Sequence, residues 1–126
     1  MPVTVLLADD ATVVRNAIRT LLAIWPEIDL VGEAADFPQA IEMMNDLKPQ
    51  VIVMELQIAR RADPSEVRDR LSKAKVLAIS LSNDVESKEL ADSYGAVVLL
   101  DKMNLYEELV PTIVKVAFPT DLASTV

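Results

Sequence analysis

Asp9 and Asp10 stand side by side in this sequence, Glu55 supplies a third carboxylate, and Ser80 and Lys102 add a hydroxyl and an ammonium. The chain contains no His and no Cys. Phosphohistidine chemistry, Ser-His-Asp triads, imidazole metal sites, thiol catalysis and zinc–thiolate sites are therefore excluded. Any chemistry must run on carboxylates, hydroxyls, Lys and Arg. Carboxylates brought together repel and raise one another's pKa. A hard divalent cation relieves that repulsion, and all-oxygen ligation suits Mg²⁺. A Lys neutralises the remaining charge, and a Ser hydroxyl donates to a phosphoryl oxygen. Such a set suits phosphoryl transfer to a carboxylate.

These residues can meet only if the chain folds to bring them together, and its apolar patterning predicts such a fold. Val3–Ala8 is a short, continuous, β-branched-rich run, as in a strand buried on both faces, and it stops at Asp9-Asp10. Val13, Val14, Ala17, Ile18, Leu21 and Leu22 then recur at helical spacing until Pro26. Leu30–Ala34 is a second strand. Asp36 caps a helix with Gln39 as its capping-box partner, and Phe37, Ala40, Ile41, Met44 and Leu47 form its stripe. Val51–Met54 is the third strand, ending at Glu55. The stretch from Gln57 to Ala62 is polar and has no clear period. Asp63-Pro64 opens a short helix, and Val76–Ile79 is the fourth strand, ending at Ser80. A mostly polar helix from about Asn83 to Tyr94 ends at Gly95. Val97–Leu100 is the fifth strand. Asn104 with Glu107 opens the last helix, in which Pro111 predicts a kink. Trp25 reads as a hydrophobic cover at the end of the first helix, and Met43, Met44 and Met54 as core filler.

Five strands alternating with five helices over short connections imply right-handed crossovers and a parallel sheet covered on both faces. In such sheets function gathers at the carboxyl ends of the strands. Asp9, Asp10, Glu55, Ser80 and Lys102 are the residues expected there.

Composition narrows the function further. Among 126 residues, 52% are hydrophobic, enough for a core, so disorder is not expected. Twelve basic against 20 acidic residues give a net charge of −8, which repels phosphate backbones and argues against direct nucleic-acid binding. No basic-plus-apolar signal segment is visible and no apolar run approaches about 18 residues, so a cytoplasmic protein with no membrane partner is expected.

The landmarks Leu6-Leu7-Ala8-Asp9-Asp10, Val31-Gly32-Glu33-Ala34, Lys48–Leu56, Val76–Ser80 and Gly95-Ala96 ahead of Lys102 are short individually but specific in this order. In that combination the chain resembles a response-regulator receiver domain of two-component signalling, of the kind that precedes helix-turn-helix output domains. The resemblance runs from about Val3 to Val116. It implies a flavodoxin-like (βα)5 doubly wound parallel five-stranded sheet of strand order 2-1-3-4-5, a receiver domain over residues 1–118 and a C-terminal tail over 119–126. It also implies Mg²⁺ contacts from Asp10 directly and Asp9 through water, and phosphoryl contacts from Ser80 and Lys102. The family's phosphoacceptor is Asp, and Glu55 stands at that position. The family's Pro and Gly after it are replaced by Ala59 and Arg60-Arg61-Ala62-Asp63, and its switch aromatic by Leu99. One extra methylene moves a carboxylate by roughly 1.3–1.5 Å, and a misplacement near 1 Å costs on the order of 10²-fold in rate.

The expectation is a non-enzymatic, atypical receiver that relays signals by protein contact, with phosphorylation control weakened or lost and Mg²⁺ held weakly or not at all by Asp10, Asp9 and Glu55. Glu55, paired with Lys102, would act as a fixed negative charge. Its partners would be a histidine kinase or another signalling protein, and a second copy across the fourth helix, fifth strand and fifth helix through Val85, Leu90, Val98 and Leu109. The alternatives are a working Mg²⁺-dependent phosphoacceptor and the receiver half of a DNA-binding regulator. A metal-dependent phosphohydrolase is disfavoured by adjacent Asp9-Asp10 in place of Asp-x-Asp and by the lack of a cap insertion. Arg60-Arg61 reads as a solvated loop or as a built-in cation facing the acids.

Overall fold

A computed structural model describes residues 2–118. The tail expected over 119–126 lies outside the described residues. The elements run β1 (Val3–Ala8), α1 (Thr12–Ala23), β2 (Ile28–Ala34), α2 (Phe37–Leu47), β3 (Val51–Glu55), α3 (Pro64–Arg70), β4 (Lys75–Ser80), α4 (Val85–Ser93), β5 (Ala96–Asp101) and α5 (Leu105–Ala117). All strand pairs are parallel and the sheet order is β2-β1-β3-β4-β5, the expected doubly wound arrangement.

Strand alternation builds two cores. Val5, Leu7, Val51, Val53, Leu77 and Ile79 pack with Ile18 and Leu22 of α1 and Leu109 and Ile113 of α5. Leu6, Ala8, Ile52, Met54, Val76 and Ala78 pack on the other face with Ala40 and Met44 of α2, Val67 of α3 and Ala91 of α4. Successive strand side chains point to opposite faces, so a continuous apolar run feeds both cores at once. Met44 and Met54 are buried and Met43 packs partly against the second core, as core filler should.

Local chemistry explains several element ends. Asp36 accepts from the Gln39 N–H at 2.8 Å, and Asp63 from the Ser65 N–H at 2.9 Å. The Gln39 carboxamide reaches back to the Ala35 N–H rather than to that of Asp36, a capping box displaced by one residue. Gly95, at φ +78°, turns α4 into β5 in a region costly for any residue with a Cβ.

Several boundaries differ from expectation. β2 begins at Ile28, because parallel pairing with β1 from Val3 extends it past its apolar run. α4 starts at Val85 under an Asp84 cap. The stretch after β3 forms a 3-10 turn, Leu56–Ala59, whose Leu56 and Ala59 are buried. Asn104 makes no side-chain cap to α5, and the helix continues through Pro111, which lies on its exposed side. Trp25 is 41% exposed beside the start of β2, so it covers the core only in part.

Candidate functional site

The register of the sheet brings the candidate residues to one end. Glu55, last in β3, pairs with Ile79, so Ser80 lies one residue beyond it, and Ser80 pairs with Asp101, which precedes Lys102. Asp9 follows β1, anchored by its N–H to the Ala34 carbonyl of β2. Lys102 opens a 3-10 turn, Lys102–Asn104, capped by Asp101, which accepts from the Met103 N–H.

Asp9, Lys102 and Glu55 form the centre. The Lys102 Nζ stands 2.8 Å from Asp9 Oδ2 and 4.0 Å from Glu55 Oε1. Asp9 is fully buried, Glu55 is buried and Lys102 is nearly so. Asp9 Oδ1 accepts from the Ala11 N–H at 2.8 Å. The contact of Oδ2 with the ammonium is close, yet its geometry is not that of a hydrogen bond, so this oxygen is held by charge alone. Glu55 Oε2 accepts from the Gln57 N–H at 2.7 Å, which caps the 3-10 turn. Burial pushes the Glu55 carboxyl above its usual range. The Lys102 charge and the Gln57 N–H pull it down by less, and Asp9 and Asp10 add to the rise. Lys102 lies near Glu55, as expected, and favours its ionised form, but desolvation is the larger influence.

The other expected site residues are arranged less tightly. Asp10 is exposed and makes no ion pair among the described residues. Ser80 is buried, its hydroxyl accepting from the Ser82 N–H at 3.1 Å. Leu99 is half-buried against the second core. The donor set does not fit a preformed Mg²⁺ site: among the described residues no three acidic side chains are grouped so that they could hold a metal ion. Asp9 has spent one oxygen on a backbone N–H and faces Lys102 with the other, and Glu55 has spent one oxygen on Gln57. Arg60 and Arg61 are exposed and form no ion pair among the described residues, so they do not neutralise the buried acids.

Three participants escape a reading of the sequence. Arg15 on α1 donates to the Asp9 carbonyl at 2.6 Å and lies 3.8 Å from Glu33, to which Arg19 also binds through two nitrogens. Their helical spacing put them on one face, but only the α1–β2 packing shows what they meet. Gln57 enters through its backbone, which no side-chain pattern reveals. Tyr94, at the end of α4, is buried with its hydroxyl unpartnered. Burial first, and the Glu55 carboxylate second, push that hydroxyl up. Its place just before Gly95 was the available signal.

The expected docking face needs a correction. Leu109 is fully buried, Val98 is half-buried against the first core and Leu90 half-buried against the second, so none of the three is open to a partner. Val85, Val97 and Tyr106 are the most exposed apolar side chains of α4, β5 and α5, at 68%, 53% and 81% exposure, and Val114 of α5 is exposed to a lesser degree.

Known proteins resemble this chain in sequence and in fold. The sequence model of the response regulator receiver domain matches residues 5–114. The nitrate/nitrite response regulator protein NarL of Escherichia coli is 30% identical over 98 residues, 75% of this chain and 45% of that protein. Protein-glutamate methylesterase/protein-glutamine glutaminase 2 of Shewanella oneidensis is 30% identical over 99 residues, 79% of this chain and 28% of that protein. The chain thus spans under half the length of these relatives. Among solved structures, the signal receiver domain of the putative response regulator NarL from Mycobacterium tuberculosis superimposes with a TM-score of 0.82 at 24% identity, covering 92% of this chain and 96% of that one. The response regulator domain of Thermotoga maritima CheB gives 0.80 at 22% identity, covering 93% and 97%. At these identities the structural likeness speaks for the fold alone, which is the flavodoxin-like receiver fold. Among the described residues no helix is long and apolar enough to cross a membrane. A match spanning both the acidic end of the sheet and the helices around it places this chain in the response regulator receiver domain family.

Proposed function

We propose that this domain is an atypical receiver that relays a signal by protein–protein contact, with phosphorylation control weakened or lost. The observation that carries the reading is the engagement of Glu55. Its Oε2 is bound to the Gln57 N–H at 2.7 Å, and its buried carboxyl is held toward the protonated form by desolvation. A phosphoryl acceptor must bring a free oxygen into line with the donor. Glu55 has one oxygen committed, a raised proton affinity, and a side chain one methylene longer than the family's Asp. Lys102 is already drawn to Asp9, so the ammonium expected to meet a phosphoryl group begins in another contact. The domain is not itself an enzyme in this reading. Its partners are a histidine kinase or another signalling protein, in the cytoplasm.

The test is phosphorylation by acetyl phosphate with Mg²⁺, followed by intact-protein mass. Wild type should stay unmodified while Glu55→Asp gains the phosphoryl mass. Equal gain by both overturns the reading in favour of a working phosphoacceptor. A second reading, the receiver part of a longer regulator, is favoured by the similarity to the E. coli response regulator, of which this chain spans 45%. The full-length reading frame decides it.

A further inference from the structure

Beside the acidic end of the sheet lies an open cleft of about 1010 Å³. One wall is the β2–α2 junction with Phe37 and Pro38, the other is the β3–α3 loop with Ile58, Arg60 and Arg61, and Asp10 stands at the rim. The volume is of the size that takes a small organic ligand, typically about 300–1,000 Å³. Its floor is apolar: Phe37 and Ile58 are half-buried and pack against the second core. Its charge is specific. Arg60 and Arg61 are exposed and free of ion pairs among the described residues. Asp36, on the opposite wall, has its carboxylate engaged by the Gln39 N–H. Two arginines, consecutive in the chain and both lining the cleft, favour an oxyanion that accepts from a guanidinium through two oxygens, such as a carboxylate, sulfonate or phosphate. The apolar floor favours a ring-sized hydrocarbon body attached to it, and exposed Asp10 repels an anion from the far rim.

We propose that this cleft binds a small organic anion, its oxyanion on Arg60 and Arg61 and its apolar body across Phe37, Pro38 and Ile58. The claim is independent of whether Glu55 accepts phosphate. It also supplies an input that does not pass through Glu55 chemistry: Gln57 lines the same cleft, and its N–H is the group bound to Glu55. An occupant therefore touches the turn that Glu55 caps.

Phenyl phosphate is titrated into the isotope-labelled chain and followed by amide shifts, with inorganic phosphate in parallel. Saturable shifts are expected at residues 36–39 and 57–62, with phenyl phosphate at least about tenfold tighter than phosphate, or about 1.4 kcal/mol. Arg60→Glu and Arg61→Glu should each weaken binding at least about tenfold, and the milder Arg60→Gln and Arg61→Gln should weaken it in the same direction. Lys73→Glu, the same charge change at an exposed site outside the cleft, should leave binding unaltered. The proposal is overturned if the shifts do not saturate at millimolar ligand, if they centre on the exposed face of Val85, Val97 and Tyr106, if inorganic phosphate binds equally well, or if Lys73→Glu costs as much as the arginine changes.

Discussion

At the scale of single residues, the balance between burial and pairing decides how the site behaves. The folded state raises the Glu55 pKa above its ordinary value of 4.5. Stability from such a group is fully present below that value and is lost as the pH rises through the folded pKa. Glu55→Gln keeps an oxygen for the Gln57 N–H and removes the titration. The variant should therefore gain on wild type between pH 4 and pH 7, read from urea midpoints; a wild type that gains on the variant over that range would defeat the burial argument. Glu33 titrates in the opposite sense, since its bond to Arg19 holds it below the usual range, but both proteins share that slope. Lys102 presents the converse case. Replacing it by Met leaves fully buried Asp9 without its cation, and breaking such a pair costs about 3 kcal/mol or more. Equilibrium unfolding should show that loss, and Asp9→Asn in the same chain should recover part of it. For Mg²⁺, the lack of any metal-binding group of three acids among the described residues predicts affinity weaker than millimolar or none. Amide shifts at Asp10 are the proper reporter, because Trp25 sits beside the start of β2, at the opposite end of the sheet. Sub-millimolar saturation there would contradict the fit argued from Asp9 and Glu55.

At the scale of elements, caps and cores divide the labour. α2 is fastened at its first turn by Asp36 and on its buried face by Ala40 and Met44. Asp36→Ala orphans the Gln39 N–H and should lower stability by about 1 kcal/mol in chemical denaturation, while Asp36→Asn should retain most of it. Because Asp36 also belongs to the cleft wall, the Asn variant separates a loosened helix from a changed binding surface. The β3–α3 connection shows the same economy. Glu55 terminates a strand, caps a 3-10 turn and faces Lys102, so one side chain joins the sheet to the loop that forms one wall of the cleft.

At the scale of the whole molecule, the apolar side chains exposed on α4, β5 and α5 are where we propose that another protein docks. Val85, Val97 and Tyr106 are the candidates for that contact, in place of Leu90, Leu109 and Val98. If a second copy binds there, light scattering should show a mass rising toward the dimer with concentration, and Tyr106→Glu should return the monomer without lowering the unfolding midpoint. A wild type that stays monomeric at high concentration would remove self-association and leave the face to a different partner.

Much of this architecture was legible in the chain because its signals are local. Val3–Ala8, Val51–Met54 and Val76–Ile79 are apolar runs too short for helices, and the caps at Asp36 and Asp63 act within three residues of themselves. Alternating strands and helices, with crossovers of one hand, imply a parallel sheet, and with it the shared end at which Asp9, Glu55, Ser80 and Lys102 appear; the strand order came only from the resemblance to receivers. What the sequence could not decide depends on neighbours far along the chain. Whether Glu55 is governed by Lys102 or by desolvation depends on how much water remains around both, a property of packing. Leu109 and Val98 carry the same apolar character as Val85, and only the seating of α5 and β5 against the sheet turns the first two inward. The cleft and its exposed arginines arise where two loops, ordered by different strands, come to face each other across the end of the sheet.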